Sequence, residues 1–177
     1  CLGVCIPSVV GACMDILLER LSVNPDWLPD IDSEVLSCKL KALDMHSLFS
    51  VMTPDEVEDM VAMYLQAEGW CLIKSTCFRS KPTFEFSMVN KHSEVCSVQV
   101  KSGNYPDPLP PEQYEKFVTD KIQIVLFSTH PNPYPEGRKD RVRCLEHKEM
   151  FSWLIDNVWS MTESLKLKLW IYLGEEI

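Results

Sequence analysis

The 177-residue chain has no run of 18 apolar residues, so no segment is long enough to cross a bilayer as a helix. It contains no CxxC pair, and its four histidines (His46, His92, His130 and His147) stand at no zinc-ligand interval from any cysteine pair. The GxSxG elbow, the P-loop, the GxGxxG fingerprint and the HExxH zinc helix are all missing. A Cys/His hydrolase has the residue types it needs but no local signature. Internal repeats and low-complexity tracts are absent too, which removes solenoid and filamentous architectures. Nor is positive charge in excess: the formal net charge is −9, a poor overall balance for a nucleic-acid binder.

What is present suits one globular core, with room for a small satellite, since 46% of the residues are apolar. Eight cysteines at irregular spacing sit largely inside apolar runs, where free thiols behave as small hydrophobes. That pattern predicts reduced thiols and an intracellular setting, cytoplasm or nucleus. The opening CLGVCIPSVVGACMDILL lacks the basic start and cleavage site of a secretory signal. With Cys1 and no methionine in front, it is expected to be part of a longer polypeptide, its apolar helix at 8–22 packing on the domain or joining it to a neighbour. An acidic, mostly helical segment over 1–50 and an α/β domain over 51–177 are the expected divisions.

Charge is unevenly spread. Residues 1–68 carry three basic and twelve acidic groups, the whole of the net charge, whereas 69–177 carry fourteen of each. Lys74, Arg79 and Lys81 form one basic patch, and Arg138, Lys139, Arg141 and Arg143 another. Either patch is a solvated face or a phosphate-contacting surface.

A short helix is expected over Ser33–Leu43. The next is better specified: Thr53-Pro54-Asp55-Glu56 joins an N-cap threonine, a proline at the first helical position and a glutamate three residues past the cap. Gly69 supplies the C′ residue. Val57, Met60, Val61, Tyr64 and Leu65 make the apolar stripe, and Glu58 falls about 90° from its middle. Strands are expected at Trp70–Phe78, Thr83–Val89 and Val95–Lys101. The last two alternate, with Glu85 on the polar face of one and Gln99 and Lys101 on the polar face of the other. A short helix over Glu112–Val118, an apolar central strand over Lys121–Ser128, an edge strand over Arg141–Leu145 and a helix over Glu146–Met161 follow. Leu165–Leu173 fits helix or strand.

Helix, three strands, helix, strand, with an acid on the second strand and Q-x-K on the third, resembles the PD-(D/E)xK restriction-endonuclease-like superfamily, and within it the Mrr-type branch. The resemblance covers Met52 to Ser128. It rests chiefly on TPDEVEDMVAMYLQAEGW for the helix and VQVKSG for the third strand. It implies an α/β fold with a mixed β-sheet of four to five strands flanked by helices, an αβββαβ core. It further implies catalytic roles for Glu58, Glu85, Gln99 and Lys101. Glu85, Gln99, the Val100 carbonyl and Glu58 would hold Mg2+ or Mn2+, and Lys101 would orient water and stabilise the phosphate. The implied activity is hydrolysis of DNA phosphodiester bonds by the effector part of a larger defence- or mobile-element-type protein. Its partners would be double-stranded DNA, the rest of the polypeptide and a second copy of the chain. The departure is KPTFEF, which places Glu85 where the branch usually carries an aspartate after a glycine-rich approach.

Three alternatives stand beside this expectation. Glu85 and Lys101 could form an exposed cross-strand ion pair worth about 1 kcal/mol at most. The same fold could serve, without catalysis, as a module that binds nucleic acid or protein. The chain could also be a plain α/β scaffold.

Overall fold

The computed structural model describes residues 31–77, 83–103, 107–135 and 140–173. The helix expected at 8–22 and the cations Arg79, Lys81, Arg138 and Lys139 lie outside them. The chain divides into two compact units, Met52–Leu154 and a second drawn from Cys1–Val51 and Ile155–Ile177.

Within the described part of the second unit, α1 (Ser33–Leu40) is capped by the Asp32 carboxylate, which accepts from the Glu34 and Val35 amides. A further helix, α2 (Met45–Val51), follows a second aspartate cap, with the Ser47 amide 2.9 Å from Asp44 Oδ1. Leu165–Leu173, open between helix and strand in the sequence, lies in a helix (Glu163–Tyr172) capped by the Thr162 hydroxyl.

The first unit is built on α3 (Pro54–Ala67) and a sheet. Thr53 and Glu56 exchange backbone and side-chain hydrogen bonds in a capping box. The helix ends at Gly69, whose φ of 94° is the left-handed conformation that glycine adopts without a Cβ penalty. All five stripe residues are buried, and Glu58 is half-buried at the stripe's border.

The sheet has five strands, β1 (Cys71–Leu72), β2 (Phe86–Val89), β3 (Val95–Lys101), β4 (Ile122–Ser128) and β5 (Val142–Cys144), standing in that order. β1, β2 and β3 pair antiparallel; β3–β4 and β4–β5 pair parallel. The fold is therefore α/β, a five-stranded mixed sheet flanked by helices. β4 is buried from Ile124 onward, as its continuous apolar run requires. The helix expected over Glu146–Met161 is α4 (His147–Asp156), and a separate 3-10 turn, Val158–Ser160, follows it.

Two elements differ from expectation. The first strand is only two residues long, because the chain turns at Ile73 into a 3-10 turn over Lys74–Thr76. The Thr76 hydroxyl then replaces a ladder partner, accepting from the Ser87 amide at 2.8 Å and donating to the Ile73 carbonyl at 2.6 Å. The helix expected over Glu112–Val118 is a pair of 3-10 turns, Pro111–Gln113 and Glu115–Phe117. Prolines 108, 110 and 111 remove amide donors at its start, and each turn closes with a bond over three residues instead of four.

Register defines the two faces. Phe86, Met88, Cys96, Val98, Val125 and Phe127 share one face, and Arg143, register partner of Val125, reaches Tyr64 and Glu68 of α3 from it. Helix α3 thus covers that face. Ser87, Ser97, Gln99, Ile124, Leu126, Val142 and Cys144 share the other, where Leu109, Tyr114, Phe117 and Tyr134 pack on the strands.

Five cysteines are described, all free: Cys38, Cys71 and Cys77 are exposed, while Cys96 and Cys144 are buried. Burial pushes the Cys96 thiol up to about 12, far from its thiolate form at neutral pH. In native protein at pH 8, iodoacetamide is expected to modify Cys38, Cys71 and Cys77 at least about tenfold faster than Cys96 and Cys144. Peptide mapping by mass spectrometry reads this directly; equal rates would contradict the sheet register.

Candidate functional site

Glu85 stands one residue before β2, and its amide donates to the Val98 carbonyl at 2.9 Å. Val98 is already the register partner of Phe86, so this bond is off the regular register, and it is the side-chain hydrogen bond from Gln99 that brings Glu85 to that residue. The Gln99 Nε2 atom lies 2.8 Å from Glu85 Oε1 and 3.0 Å from the Val100 carbonyl oxygen, donating to both. Gln99 is 3% exposed, so a buried amide is held between a half-buried carboxylate and a main-chain carbonyl. Hydrogen bonding meets the requirement that a buried polar group be paired.

Lys101 is the next residue on that face of β3, two along from Gln99 and about 7 Å from it between Cα atoms. It is half-buried, and its carbonyl accepts from the Thr129 amide at 2.9 Å, which pins the strand end. The exposed Glu85–Lys101 ion pair is not what forms: Glu85 is bonded to Gln99, and Lys101 has no ion-pair partner among the described residues. The group lies toward the carboxyl end of β3, beside parallel β4. Ligands in open α/β sheets bind at that end.

Three aromatic residues that sequence reasoning did not assign to the site, Phe84, Tyr114 and Phe117, flank it. Phe84, next to Glu85, packs its ring against Phe117 at 5.3 Å and Tyr114 at 6.2 Å between centroids. The Tyr114 phenol titrates above its ordinary value, first because it is buried and second because the Glu85 charge stands near it. Only the apolar character of these residues was visible in the sequence; the contact spans some thirty residues of chain.

Glu58 does not join this group through the sheet. It belongs to α3, the helix of the opposite face, whereas Gln99 and Lys101 share the face covered by the loop that follows β3 and Glu85 is joined to them by the Gln99 side-chain hydrogen bond.

The oxygens available at the site are those of the Glu85 carboxylate, the Gln99 amide and the Val100 carbonyl. All are hard donors of the kind Mg2+ and Mn2+ accept. As placed, the Gln99 amide turns its nitrogen toward the other two oxygens; rotating its end by half a turn presents Oε1 instead. The donor chemistry therefore fits a hard divalent cation, with one formal negative charge in the set. Among the described residues no three His, Cys, Asp or Glu side chains gather as a metal site.

Of the basic residues, Lys74 is exposed on the turn after β1, and Arg141 donates to the Asp120 carbonyl at 2.9 Å. Arg143 is committed elsewhere. Its guanidinium bonds Glu68 Oε1 and the Tyr64 hydroxyl at 2.8 Å each, reaches Glu149 at 3.2 Å and lies 5.5 Å from the Tyr64 ring centroid. Tyr64 also donates to Glu149 and stands edge-on to Trp153. This network ties α3 to β5 and α4. Burial opposes ionisation of Glu68, but the hydrogen bonds and charge of Arg143, helped by the Tyr64 hydroxyl, hold its carboxyl below the ordinary 4.5. A depressed carboxylate contributes stability above its unfolded-state value and loses it as pH falls through the folded-state value. Arg143→Ala is therefore expected to cost on the order of 1–2 kcal/mol at pH 7, a figure kept small because the partners are about one-third exposed. The cost should shrink below about pH 4. Urea melts of both proteins across pH 3–7 check this; a pH-independent difference would contradict the ion-pair origin.

Among the described residues no helix is long and apolar enough to cross a membrane. Compared with protein families, curated proteins and solved structures, the chain matches no family, no curated protein and no solved structure.

Proposed function

We propose that the sheet carries a metal-dependent phosphodiester hydrolase site of the restriction-endonuclease-like type, acting on DNA. The observation that carries this reading is the meeting of Glu85, Gln99 and the Val100 carbonyl around one amide nitrogen, with Lys101 next on the same face. The order α3–β1–β2–β3–β4 agrees with the αβββαβ core, the second helix being replaced by 3-10 turns. The free thiols of the five described cysteines suit a reducing, intracellular compartment.

Glu85 Oε1, Gln99 Oε1 and the Val100 carbonyl would hold Mg2+ or Mn2+. When bound, the cation supplies positive charge to the phosphoryl oxygens and acidity to a coordinated water. Glu85 supplies the one formal negative charge of the set. Lys101 donates hydrogen bonds to a non-bridging phosphate oxygen and to the attacking water, meeting the negative charge that grows as the bond breaks. The half-buried position of Lys101 strengthens that interaction over one made in open water.

A second reading is the same fold used for binding alone. The single formal charge in the ligand set favours it, since Mg2+ sites usually draw on more carboxylate. Supercoiled plasmid incubated with Mg2+ or Mn2+ separates the two. Nicking by the wild type, lost in Glu85→Ala, supports the hydrolase. DNA retention without nicking supports the binding module, and neither result with a folded protein leaves a scaffold.

A further inference from the structure

Phe84, Tyr114 and Phe117 gather over the sheet face of Gln99, and each is half-buried, so part of every ring reaches the surface. Phe117 stands edge-on to Phe84 at 5.3 Å between centroids, and Tyr114 lies tilted to Phe84 at 6.2 Å. The exposed Lys116 holds its ammonium 5.1 Å from the Phe117 ring centroid, a cation–π distance. Short-range bonds position the group. The Tyr114 amide donates to the Pro111 carbonyl, and the Phe117 amide to the Tyr114 carbonyl, each at 3.0 Å. Phe84 immediately precedes Glu85, so the aromatic group is continuous with the Glu85–Gln99 site.

We infer that Phe84, Tyr114 and Phe117 form a platform on which bases of a single nucleic-acid strand stack, with Lys116 at a phosphate. The inference rests on the hydrolase reading above and names its substrate as a single strand rather than a duplex. Bases within a duplex already stack on one another, whereas unpaired bases offer free faces, and every base has one. The loop's charge points the same way. Residues 107–121 carry Asp107, Glu112, Glu115 and Asp120 against Lys116 and Lys121. That balance repels the dense phosphate charge of a duplex and leaves stacking to supply the affinity.

The test is fluorescence anisotropy of labelled oligothymidine, oligouridine and a DNA duplex, without metal, on the full chain as wild type, Tyr114→Leu, Tyr114→Trp and Lys116→Ala. Leucine keeps an apolar side chain on Phe84, tryptophan keeps a stacking face, and thermal melts confirm that each variant is folded. A single strand is expected to bind more tightly than the duplex, the two oligomers identifying the preferred sugar. Tyr114→Leu should weaken that binding at least about fivefold and Tyr114→Trp should retain it. Lys116→Ala should lower the slope of log affinity against log salt by about one. A folded Tyr114→Leu protein that binds as wild type does, a duplex bound as tightly as either oligomer, or no binding of either oligomer would each overturn the platform. Because no metal is present, the hydrolase reading is judged separately by plasmid nicking. Nicking without single-strand binding leaves that reading and removes the platform; Tyr114-dependent binding without nicking does the reverse.

Discussion

Lys101→Ala is expected to lower plasmid nicking by at least about 100-fold while leaving Mn2+ affinity and the melting temperature close to wild type. The size follows from where the charge acts. An ammonium at the end of β3 meets negative charge that exists fully only as the phosphodiester bond breaks. Removing such a preorganised donor from a sheltered site typically costs about 3–4 kcal/mol of transition-state stabilisation. The fold does not depend on it, because Lys101 is bound into the sheet by its backbone and joins no ion pair among the described residues. Lys101→Arg would keep the charge but not the point geometry and should recover only part of the rate. Single-turnover nicking at saturating Mn2+ is the measurement. A Lys101→Ala protein that nicks at the wild-type rate would remove the lysine from the chemistry.

The second large effect concerns the scaffold. Phe127 is fully buried near the end of β4, on the α3 face, with its ring edge-on to His147 at 5.9 Å. Truncation to alanine removes a ring from a packed interior and leaves a cavity, a loss of about 3–5 kcal/mol. That is a large share of the roughly 5–15 kcal/mol that holds a domain folded. Phe127→Leu, which keeps much of the volume, should cost far less. Urea midpoints at constant m-value report both. A Phe127→Ala loss below about 1 kcal/mol would mean that β4 does not run through the core as described. Because β4 also fixes β3 through seven register pairs, including Lys101 with Ser128, the same variant should loosen the site.

The parts legible in the sequence were those whose physics is local. Thr53, Pro54, Glu56 and Gly69 bracket α3 through bonds within a few residues. The alternation from Val95 to Lys101 separates the two faces because side chains on strands repeat every two residues, whereas Phe84, expected on the face of Phe86 and Met88, packs with Tyr114 and Phe117 on the other. What could not be read depends on distant partners. Trp70–Phe78 is rich in strand formers, but the Thr76 hydroxyl, by bonding Ser87, turns the chain after two paired residues. The polar face of β3 alternates as a solvent face would, yet Gln99 is buried, because a loop some ten to twenty residues later folds over it. Arg143 reads as part of a basic patch; its neighbours in space, Glu68 and Glu149, make it an internal tie. Helix α2 was not read from the sequence, although Asp44 caps it locally by accepting from the Ser47 amide.

The central claim is that the oxygens of Glu85, Gln99 and Val100 hold one divalent cation. A crystal grown or soaked in millimolar Mn2+, with diffraction recorded at the manganese edge, tests it most directly. The expected map has an anomalous peak about 2.0–2.4 Å from Glu85, from the Val100 oxygen and from Gln99 Oε1, the amide having turned its nitrogen away. A map with no manganese there, and with Gln99 Nε2 still donating to Glu85, would contradict it.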